Sequence, residues 1–253
     1  VVGFANKYVG GANRGKRAVR WDAGGTVATE LGNLGTLANG STSSEAYAIN
    51  DTGTVVGFAE KYVSGSSRGF RAVRWDAGTT TATELGILGT FGGGFSTSYA
   101  YAINADGITV GFARKYTPSG TLDGDRAVYW GQDAEPVDLN TLLSPEDAFN
   151  WKLYEARDIS DTGWITGIGF FDPDGATGPL ASYSRLFLMQ ISASTCALCA
   201  ADYNQDGGID GSDIGAFFTD WEQGADCADT NQDGGVDGSD VGAFYAVWEA
   251  GGC

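Results

Sequence analysis

The sequence predicts two unlike parts: an all-β, propeller-like repeat domain over residues 1–192, and a small α-helical module of paired loop–helix units over residues 201–253. Three observations carry this reading. Short motifs return at steps of 54 and 55 residues, from Arg17 to Arg71 to Arg126. Gly is very abundant, at 40 of 253 residues, beside 12% aromatics and only 5 Pro, a composition of tight turns between short strands. All 15 basic residues lie before residue 201, whereas residues 201–253 hold 12 acidic residues and no Lys or Arg. That break in charge marks a boundary, with residues 193–200 as a Cys-containing linker.

The repeat elements follow in a fixed order. Val55-Val56-Gly57-Phe58-Ala59 repeats Val1-Val2-Gly3-Phe4-Ala5, and Val110-Gly111-Phe112-Ala113 comes next. Arg17-Ala18-Val19-Arg20-Trp21 returns as Arg71 to Trp75, then as Arg126-Ala127-Val128-Tyr129-Trp130. Glu30-Leu31-Gly32 returns as Glu84-Leu85-Gly86. Ala46-Tyr47-Ala48-Ile49-Asn50 recurs as Ala100 to Asn104, and in weaker form at Glu155 to Ile159. The turns Asn50-Asp51-Thr52-Gly53, Asn104 to Gly107 and Ser160 to Gly163 predict hairpins between the Ala-Ile-Asn strand and the Val-Gly-Phe strand. Four apolar runs per copy predict four-stranded units of about 54 residues, three clear and a partial fourth. No segment before residue 193 has sustained helical periodicity.

Ala48-Ile49-Asn50 through Gly57, with Leu31-Gly32-Asn33-Leu34-Gly35, resembles the probable extracellular repeat of the HAF family of secreted bacterial proteins. The resemblance covers about residues 1–192, and departs from the family where its His-Ala-Phe element reads Arg-Ala-Val. It implies an extracellular or cell-surface β-repeat and no particular chemistry.

Composition removes several functions. There is no His, so no Ser-His-Asp or Cys-His centre and no imidazole-ligated metal. No apolar run approaches the ~18 residues that span a bilayer. An acidic chain of net charge −17 repels nucleic acid. A chain that opens on Val1, with one methionine at Met189, is expected to be processed or partial. Arg17, Arg71 and Arg126 with Trp21, Trp75 and Trp130 offer a cation–π ligand site, but recurrence at one place in every repeat favours packing. Lys7-Tyr8, Lys61-Tyr62 and Lys115-Tyr116 follow the same logic.

The acidic module is more specific. Asp202, Asn204, Asp206, Asp210 and Asp213 stand at positions 1, 3, 5, 9 and 12 of a twelve-residue loop of EF-hand type, with Gly207 at position 6 and the Gly208 carbonyl at position 7. Asp229, Asn231, Asp233, Asp237, Asp240 and Gly235 repeat the set 27 residues later. Two such loops predict two Ca2+ ions, because this hard cation takes six to eight oxygens. Ile209 and Val236, at position 8, are expected to pair across a short β bridge. Ile214, Phe217, Phe218 and Trp221, then Val241, Phe244, Tyr245 and Trp248, fall at i, i+3, i+4 and i+7 and predict a helix after each loop, ended by Gly224 and Gly251. Loop-then-helix, twice, with Asp at position 12, resembles the type I dockerin domain. That resemblance implies a cohesin-like partner engaged near Gly211-Ser212 and Gly238-Ser239.

Cys196, Cys199, Cys227 and Cys253 bracket this module. A zinc site of four thiolates usually shows a second tight pair, which is missing here, so two disulfides and an oxidising compartment are expected. Cys196 and Cys199 sit too close to pair comfortably, so each is expected to reach Cys227 or Cys253.

Three functions remain. The favoured one is a secreted, non-catalytic structural or assembly protein, self-associating into oligomers or filaments through incomplete end repeats and locked by the calcium module. The others are a carbohydrate-active enzyme and a carbohydrate-binding repeat. An enzyme needs facing carboxylates. Glu30 and Glu84 look architectural, whereas Asp172, Asp174, Glu146 and Asp147 stay open.

Overall fold

The structure is a computed structural model describing residues 1–22, 24–175, 178–191, 201–204, 208–231 and 235–251. The chain forms two compact units, Val1–Ile191 and Ser192–Cys253.

The first unit is mostly β and consists of four antiparallel sheets in sequence order. Sheet one holds β1 (Val2–Val9), β2 (Ala12–Trp21) and β3 (Ala28–Glu30). Sheet two holds β4 (Ser44–Ile49), β5 (Val55–Val63), β6 (Ser66–Trp75) and β7 (Thr83–Glu84). Sheet three holds β8 (Ser98–Ile103), β9 (Thr109–Tyr116), β10 (Leu122–Trp130) and β11 (Pro136–Asp138). Sheet four holds β12 (Trp151–Ile159), β13 (Trp164–Phe171) and β14 (Tyr183–Gln190). Each repeat is thus one sheet, with strands adjacent in sequence paired in space. Phe4↔Ala18, Phe58↔Ala72 and Phe112↔Ala127 occupy the same ladder position. The Asn-x-x-Gly turns close as expected: the Gly53 N–H donates to the Asn50 carbonyl at 3.0 Å, with Gly53 at φ +89°.

Side chains alternate between the two faces of every strand, so each sheet feeds two cores. Ala18, Leu31, Val73 and Trp75 fill the first interface, Val56, Leu85, Val128 and Trp130 the second, and Ala127, Leu139, Leu153 and Ile165 the third. β4 lies on β1 and β2, β8 on β5 and β6, and β12 on β9 and β10. No comparable packing joins the first and fourth sheets among the described residues.

Among the described residues of this otherwise β unit there is one α-helix, α1 (Pro145–Asn150), beside two short 3-10 turns. Ser144 caps it by accepting the Asp147 N–H, Pro145 occupies the first turn, and Glu146 and Asp147 complement the helix start. It is too short to show periodicity, and its start signal, Ser-Pro-Glu-Asp, was the only trace in the sequence.

The second unit carries α2 (Gly211–Gln223) and α3 (Gly238–Ala250). Each begins in a capping box, Asp210 with Asp213 and Asp237 with Asp240, and ends on a left-handed Gly224 or Gly251. Phe217 and Phe244 stack face to face at 4.2 Å, both fully buried.

Candidate functional site

The recurrent polar residues of the first unit form one network, repeated three times. Lys7 and Arg17 both hold Glu30, at 2.8 and 3.3 Å. Lys61 and Arg71 hold Glu84, at 2.6 and 3.1 Å. Lys115 and Arg126 hold Asp138, at 3.0 and 3.6 Å. The arginines are almost completely buried, which demands partners for the rest of each guanidinium. Arg17 donates to the carbonyls of Thr42 and Gly40, and Arg71 to those of Ser96 and Gly94, in each case in the segment leading into the next sheet. Arg126 turns back to Asp123 and the Asp125 carbonyl instead.

Three further sets of bonds join sheet to sheet. The buried hydroxyls of Ser44 and Ser98 accept the N–H groups of Ala18 and Ala72. Trp75 and Trp130 donate their indole N–H to the carbonyls of Gly32 and Gly86. The Asn50 amide donates to the Asn104 carbonyl at 3.0 Å, and the Asn104 amide to the Ser160 carbonyl at 3.3 Å. The bulged residue of each first strand joins a second ladder: Tyr47 stacks on Tyr101 at 5.8 Å, and Arg157 covers Tyr101 at 4.9 Å. Burial, with Glu45 beside it, pushes the Tyr47 hydroxyl up to about 12.

The arginine–tryptophan pairs therefore face carbonyls and cores. The described cation–π contacts fall elsewhere, on Phe4, Tyr101, Phe171 and Tyr183. Of the other carboxylates singled out, Asp147 accepts the Ser144 hydroxyl, and Asp174 accepts the Leu180 N–H. A cleft of about 300 Å³ beside the turns, bordered by Asn50, Arg74, Asp76 and Asp106, is polar, and Arg74 already pairs with Asp76 at 2.8 Å.

In the second unit the two loops are built alike. Asp213 is fully buried and accepts the N–H groups of Asn204 and Asp210, one on each oxygen, at 3.0 and 2.8 Å. Asp240 does the same for Asn231 and Asp237, at 3.2 and 2.7 Å. One carboxylate thus ties position 12 to positions 3 and 9, and each oxygen keeps a further lone pair for a cation. Ser212 donates its N–H and hydroxyl to Asp210, and Ser239 its hydroxyl and N–H to Asp237, which hold both carboxyls below the usual carboxylate range. Asn204 and Asn231 donate to the hydroxyls of Ser212 and Ser239. The loops are cross-linked reciprocally: Trp221 donates to the Asp237 carbonyl at 2.8 Å and Trp248 to the Asp210 carbonyl at 3.2 Å.

The expected bridge between Ile209 and Val236 is not among the described β bridges; the indole bonds link the loops one residue further on. Asp206 and Asp233, at position 5, lie outside the described residues, as do Cys196, Cys199 and Cys253. Asp202, Asp229, Gly208 and Gly235 are described and lie in their loops. Among the described residues no three His, Cys, Asp or Glu converge as a metal-holding group. Cys227 is disulfide-bonded.

Sequence reasoning missed the Lys–Glu–Arg clusters and the Asn ladder. Their signal was present: Lys7 and Glu30, Lys61 and Glu84, and Lys115 and Asp138 keep one separation of 23 residues in every repeat.

Stacked, sequentially ordered sheets fastened by recurrent buried polar groups define a tandem β-repeat protein. The chain belongs to the family described as "Protein of unknown function (DUF3466)", whose profile matches residues 30–174, from the end of β3 to the turn after β13. No curated protein and no solved structure matches the chain.

Proposed function

We propose that the chain is a secreted, non-catalytic structural or assembly protein. Its repeat sheets act as propeller-type blades, displayed or assembled outside the cell, and a dockerin-like module binds two Ca2+ ions that tether or lock the assembly. The observation that carries this reading is that recurrent buried polar groups, Arg17 and Arg71, Ser44 and Ser98, Trp75 and Trp130, and Asn50 and Asn104, are engaged in holding one sheet to the next. Glu30 and Glu84, which an acid/base pair would need free, are each neutralised by a Lys and an Arg.

Support for calcium comes from the donor chemistry. Each loop brings four carboxylates, an amide and a main-chain carbonyl, and its buried position-12 carboxylate already draws the loop around one centre. Without a cation these carboxylates repel one another, so calcium is assigned a folding role first and docking onto a cohesin-like partner second.

Calorimetry of chelator-stripped protein, a polysaccharide panel read for binding and hydrolysis, and electron micrographs with and without chelator test the reading. Two calcium sites, an inert panel and calcium-dependent assemblies are expected. Hydrolysis of any polysaccharide, or no heat with calcium, overturns it.

A further inference from the structure

Equivalent residues of the second unit, 27 apart in sequence, meet one another across its middle. Phe217 stacks on Phe244 with the ring planes only 2° apart. Trp221, in the last turn of α2, donates its indole N–H to the Asp237 carbonyl at 2.8 Å. Trp248, in the last turn of α3, donates to the Asp210 carbonyl at 3.2 Å. The two halves are related by exchange: the helix that follows each loop reaches back to the other loop.

The acceptors sit at the centre of the loop geometry. Asp210 and Asp237 stand at position 9 and are also the N-caps of α2 and α3. The Asp210 N–H donates to Asp213 Oδ2 at 2.8 Å, and its Oδ1 accepts the N–H and the hydroxyl of Ser212 at 2.8 and 2.7 Å. Asp237 is held in the same way by Asp240 and Ser239, at 2.7 Å in each bond. One residue therefore joins the buried position-12 carboxylate, the start of its own helix and, through its carbonyl, the end of the opposite helix.

Each helix is a stiff spacer of 13 residues, with its first turn set by its own loop and its last turn by the other. Drawing the first loop around a cation fixes Asp210, which bears on Trp248 and so on α3, whose start carries Asp237 and Asp240. The same path runs from the second loop through Trp221 and α2. Ile209 and Val236 at position 8 are not paired among the described β bridges, and the indole bonds provide a link between the loops in place of one.

We infer that Trp248 is a positioning residue for the first loop and Trp221 for the second, so that the two loops bind Ca2+ cooperatively. This rests on the calcium reading above and adds a coupling to it. Ordering one loop contributes to ordering the other, and by linkage each ion raises the affinity for the other by the same factor. The indole bonds are exposed and compete with water, which sets that factor at about three to ten.

The test is calcium calorimetry on the chelator-stripped full chain, beside Trp221→Phe, Trp248→Phe and the double variant, which keep an aromatic ring and lose the donor. In the unaltered chain the second ion is expected to bind about three- to tenfold more tightly than the first, after correction for two equivalent sites. In the double variant the factor should fall to about one. Asp240→Ala disables the second loop and isolates the first. In that background Trp248→Phe should weaken the remaining site about threefold or more, and Trp221→Phe, on the helix directly after that site, should weaken it less. Lost packing is common to both substitutions and cancels in the comparison. Where Asp240→Ala binds no calcium, the double variant decides alone. Independent sites in the unaltered chain, undiminished cooperativity in the double variant, or equal effects in the Asp240→Ala background overturn the inference and leave the calcium reading standing. No heat of calcium binding overturns both.

Discussion

Trp75 reaches from the second sheet into the first, its indole N–H 3.0 Å from the Gly32 carbonyl oxygen, with its ring fully buried. Trp21 holds the corresponding place in the first sheet, is only partly buried and makes no indole hydrogen bond among the described residues. Phenylalanine at residue 75 removes the donor and strands a carbonyl at the interface. Trp75→Phe is expected to cost about 2 kcal/mol, and Trp21→Phe less than about 0.5 kcal/mol. Urea unfolding of the two variants decides it, and equal costs would refute the assignment.

Arg71 and Arg126 are equivalent in sequence and unequal in use. Arg71 fastens the second sheet to the entry of the third, while Arg126 bonds within its own segment and to the half-exposed Asp123. Burial lowers the Arg71 pKa and the neighbouring Glu84 opposes the shift, and removing the guanidinium leaves stranded carbonyls. Arg71→Met should destabilise by about 3 kcal/mol, and Arg126→Met by about half as much. The comparison fails if the order reverses in equilibrium melts.

Calcium removal is expected to act on one unit. Chelator should abolish the near-ultraviolet signal of the second unit, whose core is Phe217, Phe244, Trp221 and Trp248, and spare the β transition. Asp213→Ala should leave one calcorimetric site of two, because the carboxylate that gathers Asn204 and Asp210 is gone. Retention of both sites in that variant would disprove the loop assignment.

Cys227 is oxidised, and all four cysteines are expected to resist alkylation under denaturing, non-reducing conditions. Cys227→Ser should cost about 2–4 kcal/mol in the second unit, the usual contribution of a bridge in a small module. Mass spectrometry that finds labelled Cys196 or Cys199 in the unaltered chain would limit the module to a single bridge.

Sequence periodicity revealed what depends on local chemistry. The Asn-x-x-Gly turns, the paired strands they join, and the helices of the second unit follow from glycine placement, alternation and a 3.6-residue period. What it could not reveal depends on approach between repeats. Gly57 looks like any strand glycine until the Glu45 carbonyl is seen crossing it. Arg71 looks like a ligand cation until Ser96 and Gly94 are seen beneath it. Helix α1 was hidden for a different reason: six residues give one cap and no period. At the two acidic loops the spacing spoke for the expected ligand chemistry, while the cross-loop bonds of Trp221 and Trp248 emerged only in three dimensions.

The sequential stacking of sheets bears on heredity as well as on stability. Each sheet is coupled chiefly to its neighbours in sequence, so the free energy of the first unit behaves as a row of nearest-neighbour terms. Removing or duplicating one interior repeat would rebuild an interface of a kind already present on either side. Tandem duplication at the level of the gene can then change the reach of the array one sheet at a time, without waiting for compensating substitutions elsewhere.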